Sequence, residues 1–218
     1  MLGLIVIGGA LSIYISTIKG SSDAVKSARL NYDLESAMQF MVNDIRRAGY
    51  WSGAVTGSDS ALNPFTQGGA NITISNITGG AGDNCILYSY DGETENSAPD
   101  SNEYYGFKLE NSTIKSRYLV ANTTATELPC NKGSWEDILD SDTIEITTLT
   151  FSSANTKCLN TSTSPNQLCS VGISSTDIAV ETRQIDITLV GHVKNDISVT
   201  KTLTGIVKVR NNRIYVEP

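Results

Sequence analysis

Residues 34–51 read LESAMQFMVNDIRRAGYW, and this stretch decides the fold. Leu34, Met38, Met41, Ile45 and Ala48 recur at spacings of four, three, four and three. That is the period of one α-helical face, so an apolar stripe runs down one side of a helix. Leu30, Ala37 and Phe40 widen the stripe. Gly49 falls just past the last periodic residue and fits a helix C-cap, with Arg46 and Arg47 suited to the C-terminal dipole. Arg29 with Asp33, and Asp44 with Arg47, are spaced to pair on the outer face, for a few tenths of a kcal/mol each.

Upstream the same helix continues. Residues 21–48 contain no proline, and the single interruption signal is Gly20-Ser21-Ser22. Met1–Ile18 carries no charge. Eighteen helical residues reach roughly 27 Å, close to the hydrocarbon thickness of a bilayer. A secretory signal peptide would have a basic segment before the apolar run and a small-residue cleavage site after it, and neither is present. The expectation is a membrane-inserting helix that runs on without a break to about residue 48, some 72 Å in all. A globular domain cannot cover that length, so the front half must pack against lipid or other copies. The chain then divides into an apolar helix over 1–20, an amphipathic continuation over 21–50 and a β-rich extracytoplasmic domain over 51–218.

Downstream the pattern changes to strands. Residues 52–82 are rich in Gly, Ser and Asn and read as a long loop with one short element. Cys85–Tyr90 reads as a strand. Tyr104–Leu109 and Thr113–Val120 read as a hairpin closed at Glu110-Asn111-Ser112. Thr143–Phe151 alternates imperfectly through Ile144, Ile146 and Leu149. Ile178–Val193 and Ile197–Val209 are the longest runs, joined by a turn at Lys194-Asn195-Asp196. In the first, Ile185, Ile187, Leu189 and Gly191 share a face; in the second, Val199, Lys201, Leu203 and Gly205 do. Short connections predict an antiparallel sheet whose apolar face takes the helix stripe, an α+β architecture.

Composition narrows the function. The 218-residue chain has a net charge of −7, which argues against a nucleic-acid partner. Residues 51–142 hold thirteen acidic residues against four basic, and residues 183–213 hold six basic against two acidic. Four cysteines, with no C-x-x-C pair and one histidine, do not make a common zinc set. In a tethered, Thr/Asn-rich domain they read as two disulfides formed in an oxidising compartment. Three connectivities are open. Cys85–Cys130 with Cys158–Cys169 is favoured, because the 158–169 segment is short, polar and loop-like.

Catalytic constellations are thin. His192 lies in a strand pattern with no nucleophile motif and reads as structural. No G-x-S-x-G, P-loop or G-x-G-x-x-G is present. Asp91, Glu93, Glu95, Asp100 and Glu103 supply oxygen ligands of the kind Ca²⁺ takes, but without EF-hand register they read as a solvated loop. Asp137, Asp140 and Asp142 read as a solvated turn. Asn71, Asn76, Asn111, Asn122 and Asn160 begin sequons. The expectation is a non-enzyme with no cofactor and no metal.

The apolar N-terminal helix, its amphipathic continuation and the ending Asp44-Ile45-Arg46-Arg47-Ala48-Gly49-Tyr50-Trp51 together resemble the type IV pilin-like proteins. The match is nearest to the PilW group of minor pilins, where a similar segment closes the long helix. Val207-Lys208-Val209-Arg210-Asn211 is similar to that group's last strand. The resemblance covers residues 1–52 and the last strands. The family's basic leader, its cleavage site and the glutamate beyond it have no counterpart here, so Met1 reads as lying several residues inside the family's mature helix.

The resemblance implies a structural subunit that waits in the inner membrane with its domain in the periplasm. It then joins other pilin and minor pilin subunits through the N-terminal helix in an extracellular pilus, helping to initiate or complete the filament. The alternatives are a pseudopilin of a type II secretion system, or a membrane-anchored adhesion module that does not polymerise.

Overall fold

The structure is a computed structural model describing residues 2–56, 63–78, 81–92, 99–119, 129–163 and 166–216. Its first element is a single helix, α1, over Leu2–Ile45. At 1.5 Å per residue it is about 66 Å long. Gly20-Ser21-Ser22 does not interrupt it. Met1 and the side chains of Leu2, Leu4, Ile5 and Val6 lie outside the described residues, and with them part of the expected span over Met1–Ile18. Among the described residues no helix is long and apolar enough to cross a membrane.

Among the described residues twelve strands follow, in three sheets where the sequence led to the expectation of one. One antiparallel sheet holds β1 (Thr73–Ser75), β2 (Cys85–Ser89), β3 (Tyr104–Glu110), β4 (Thr113–Leu119) and β5 (Ser134–Asp137), in that order. A second holds β6 (Ile144–Ser152), β10 (Gln184–Val193) and β11 (Asp196–Lys208), in the order β11-β10-β6. A third, in the order β12-β9-β7-β8, holds β7 (Lys157–Asn160), β8 (Gln167–Leu168), β9 (Ile178–Thr182) and β12 (Arg213–Val216). The run Ile178–Val193 is therefore two strands in two sheets. The break falls at Arg183, which is buried with its guanidinium turned to the end of α1.

The hairpin between β3 and β4 turns at Asn111 and Ser112, with φ of 54° and 58°. Positive φ at both central residues is the twist-matched two-residue turn of a β-hairpin. In β6, the alternation falters because Thr148 faces Val190 while Ile146 faces Gly191. Thr147 is the extra residue of a bulge, so Ile144, Ile146, Leu149 and Phe151 all stay buried. Cys158 and Cys169 sit at a short β7–β8 hairpin, so the segment between them is not the plain loop expected.

The core lies between α1 and the strands. Leu30, Leu34, Ala37, Met38, Met41, Ile45 and Ala48 are buried against Ile185, Ile187, Leu189, Val207 and the apolar side of β2, β3 and β6. Phe40 is only half-covered, with its ring edge-on to Phe107 at 5.5 Å. Two glycines set how closely the helix approaches. A Cβ on Gly205 would stand 2.6 Å from Met38 Sδ, and one on Gly191 would stand 3.2 Å from Leu34 Cδ2. The strand faces read from sequence thus end in the two residues small enough to seat a helix.

Candidate assembly surface and the socket that holds it

Along α1 the burial divides at residue 26. Ile7, Leu11, Ile13, Tyr14, Ile15 and Ile18 are all at least half exposed, and Val25 is 66% exposed. From Leu30 onward the apolar stripe is buried. Contiguous exposed apolar surface is of the kind that partners or membranes cover in other proteins. Several ion pairs lie where the helix leaves the domain. Lys26 Nζ is 3.2 Å from Asp196, Arg29 Nη2 is 3.2 Å from Asp140, and Arg29 Nε is 3.6 Å from Asp33. The Asp137–Asp142 turn is therefore tied down: Asp137 takes Lys115, and Asp140 also accepts from Thr143 Oγ1 at 3.2 Å.

The other end of the helix is gripped more firmly. The last turn tightens, with Arg47 N donating to Asp44 O and Ala48 N to Ile45 O, each at 3.0 Å. A helix end leaves its final carbonyls without partners. Here distant residues supply them. Arg210 N donates to Arg46 O at 3.2 Å, and Asn211 Nδ2 to Ala48 O at 3.2 Å. Arg183 Nη2 reaches Ala48 O at 3.5 Å and Asn211 O at 2.7 Å, while its Nη1 donates to Asn71 Oδ1 at 2.8 Å. A cation at a helix C-terminus complements the dipole. Burial pushes the Arg183 guanidinium down to about 10, against a smaller opposing effect from Glu181.

Gly49 makes the reversal possible. Its φ is +74°, and a Cβ there would meet Arg183 Nη2 at 2.6 Å and Thr66 Cγ2 at 2.7 Å. Its N–H donates to Ser89 O at 2.8 Å, and its carbonyl accepts from Asn63 Nδ2 at 2.9 Å. Tyr50 O accepts from Asp91 N at 2.9 Å.

Asp44 corrects the reading of an outer-face pair. It does sit 3.7 Å from Arg47, but its carboxylate faces the domain. There it accepts from Tyr88 Oη at 2.5 Å and Tyr90 Oη at 2.8 Å. The Arg47 guanidinium covers the Tyr90 ring at 4.0 Å, and that ring stacks on Tyr105 at 3.9 Å. Burial first, and then the Asp44 charge, hold both the Tyr88 and Tyr90 hydroxyls well above their ordinary value. A phenol kept neutral beside a carboxylate is a hydrogen-bond donor, and so these tyrosines act as fixed pins for the helix end.

Both disulfides are closed, Cys85–Cys130 with Cα atoms 6.4 Å apart and Cys158–Cys169 at 5.4 Å. Asp91 and Glu103 are buried, in place of the solvated loop expected. Asp91 accepts from Ser52 N at 3.1 Å and from the Ser52 hydroxyl. Glu103 accepts from Gly92 N at 2.9 Å and Asp100 N at 2.8 Å. Glu93, Glu95 and Asn122 lie outside the described residues. Among the described residues no group of three His, Cys, Asp or Glu side chains is placed to hold a metal ion. His192 is nearly buried on β10, with Nδ1 3.0 Å from Val193 O and Nε2 3.6 Å from Glu145. Of the sequon asparagines, Asn160 is buried and donates to Asp177 at 2.8 Å, and Asn71 accepts from Arg183. Asn76 closes a local turn with Thr78 and Ala81, and Asn111 forms the β3–β4 turn.

Sequence reasoning placed all eight residues 44–51 at the helix end and missed the groups that receive them. Arg183, Asn211, Tyr88 and Tyr90 are far away in the chain. An arginine interrupting an apolar strand run was the one available signal.

This geometry defines an α+β protein in which half of a long helix completes the domain's core and the described part of the other half is exposed. The chain belongs to the family described as prepilin peptidase-dependent protein B, whose model matches residues 23–209. That is a pilus-related family, and it points to the cell envelope or the exterior. An uncharacterized protein of Haemophilus influenzae is 26% identical over 155 residues, covering 56% of this chain; the chain spans 65% of that relative's length. No solved structure matches.

Proposed function

We propose that the chain is a minor pilin of the PilW kind, a structural subunit that helps initiate or complete a type IV pilus. The observation that carries this reading is the exposed apolar front of α1, from Ile7 to Ile18, on a helix whose rear is locked into a domain. Such a surface has two stable environments, lipid and a bundle of similar helices. The subunit rests in the inner membrane with the domain in the periplasm, and then transfers the same surface to other pilin and minor pilin subunits. No catalytic residue, cofactor or nucleic acid takes part. The disulfides suit the oxidising side of the membrane.

The test is recovery of the chain in filaments sheared from the cell surface, by immunoblot. The native chain is expected in that fraction. The Ile13→Asp/Ile15→Asp variant should be absent from it, although its domain folds normally. A native chain that stays wholly with the membrane fraction of piliated cells would contradict the proposal.

A further inference from the structure

We propose that the open edge of β11 is a docking strand for a second copy of this chain, which lays the acidic edge of its β5 along it. The inference rests on the filament-subunit reading and goes beyond it by naming a contact between domains rather than helices.

β11 is thirteen residues long and ends the order β11-β10-β6. At about 3.4 Å per residue its edge runs roughly 44 Å. The opposite border of the same sheet is closed, because Ile146 N donates to Ser112 O and Phe151 N to Asp83 O, each at 2.8 Å. Among the described residues, no backbone hydrogen bond joins the outer edge of β11 to another element. The side chains agree. On β10 the inward row Ile185, Ile187 and Leu189 is fully buried; on β11 Val207 is buried opposite Ile185, whereas Leu203, Lys201 and Val199, further along the same row, are only half-buried. Ile197, near the start of the strand where the register shifts, is 77% exposed, and Ile206 is 62% exposed. A long, proline-free edge rich in Thr, Val and Ile is a ready template for another strand.

Charge selects the partner. Lys201 stands in the middle of the edge, with Lys208 at its end and Arg210 just beyond. Two β11 edges paired symmetrically would run antiparallel and bring the two central Lys201 side chains close together, which disfavours that contact. β5 ends the five-stranded sheet, and there Glu136 is exposed, as is Asp137, which already pairs with Lys115 on the neighbouring strand. A basic edge on one copy facing an acidic edge on the next is a heterologous contact. It leaves the other edge of each copy free, and so it can join further copies in series. This gives the uneven charge of the chain a structural use.

The experiment uses the full chain in detergent micelles. Isotopically light and heavy protein are mixed, and a zero-length carbodiimide cross-linker joins lysine to carboxylate. Mass spectrometry then reads mixed light–heavy links. The expected result is links from Lys201 or Lys208 to Glu136 or Asp137. Lys201→Glu alone and Glu136→Lys alone should each lower intercopy association about tenfold, through like-charge contact, and mixing the two variants should regain it. Lys208→Glu, at an exposed position, repeats the test if Lys201→Glu disturbs folding. Intercopy links confined to residues around α1, or association unchanged by these reversals, overturns the edge contact and leaves the subunit reading standing. If association is also unaffected by Ile13→Asp/Ile15→Asp, the helix contact fails as well, and with it that reading.

Discussion

The front and rear halves of α1 share one backbone, one geometry and a similar supply of apolar side chains, yet the domain treats them oppositely. Leu30, Leu34, Met41 and Ile45 lose nearly all their exposure, while Ile7, Ile13 and Tyr14 keep more than half of theirs. The difference lies in what stands opposite. Gly191 and Gly205 let the rear half sink onto β10 and β11, and nothing described in the domain reaches the front half. A single helix can thus bury one half in a core and leave the other exposed, with the border drawn by the sheet it packs on.

The comparison is most easily broken by truncating side chains. Leu34→Ala leaves a cavity at a fully buried site, and about 2–5 kcal/mol should be lost in denaturant unfolding. Ile13→Ala removes a similar side chain from an exposed site and should change stability by less than about 0.5 kcal/mol. Equal losses at both sites would erase the distinction between the halves.

Gly49→Ala should come next. It forces an L side chain to φ +74° and into Arg183 and Thr66. About 1–3 kcal/mol is expected from the backbone alone, and the lowered thermal midpoint of unfolding is the readout.

Alkali offers a finer test of the rear half. Tyr88 and Tyr90 ionise less readily folded than unfolded, so the folded state binds more protons above pH 10. Their contribution is complete below pH 10 and is lost as pH rises further. The tyrosinate absorbance near 295 nm should therefore appear in two stages, exposed tyrosines first, with these two delayed until the domain unfolds. Tyr88→Phe with Tyr90→Phe should flatten the alkaline loss of stability. The smallest effect belongs to the border itself. The Lys26–Asp196 pair is part-exposed, and a double-mutant cycle should give only a small coupling that falls with added salt.

Local signals in the sequence carried much of this architecture. The four-three spacing from Leu34 to Ala48 located the buried stripe because a helix repeats on itself within two turns. The β3–β4 hairpin was legible because Asn111 tolerates positive φ. What escaped was set by residues remote in the chain. Arg183 divides an apparently continuous strand run because its guanidinium is needed at the end of α1, which no local pattern encodes. Asp44 looked like half of a surface pair until Tyr88 and Tyr90 came in from β2 and its end. The third sheet was illegible because β7, β8 and β12 span only two to four residues each, too short for a period to be read. Of the functional surface, the apolar front was visible from residue type alone, whereas the acceptors that orient it were not.

The claim that the rear half of α1 completes the core without help from the front is tested most directly by thermal unfolding of the chain lacking residues 2–20. A soluble, folded protein is expected, with a midpoint within about 2 °C of the full chain's, since none of the described side chains in that segment is buried. A truncated chain that fails to fold, or melts far below the full chain, would contradict it.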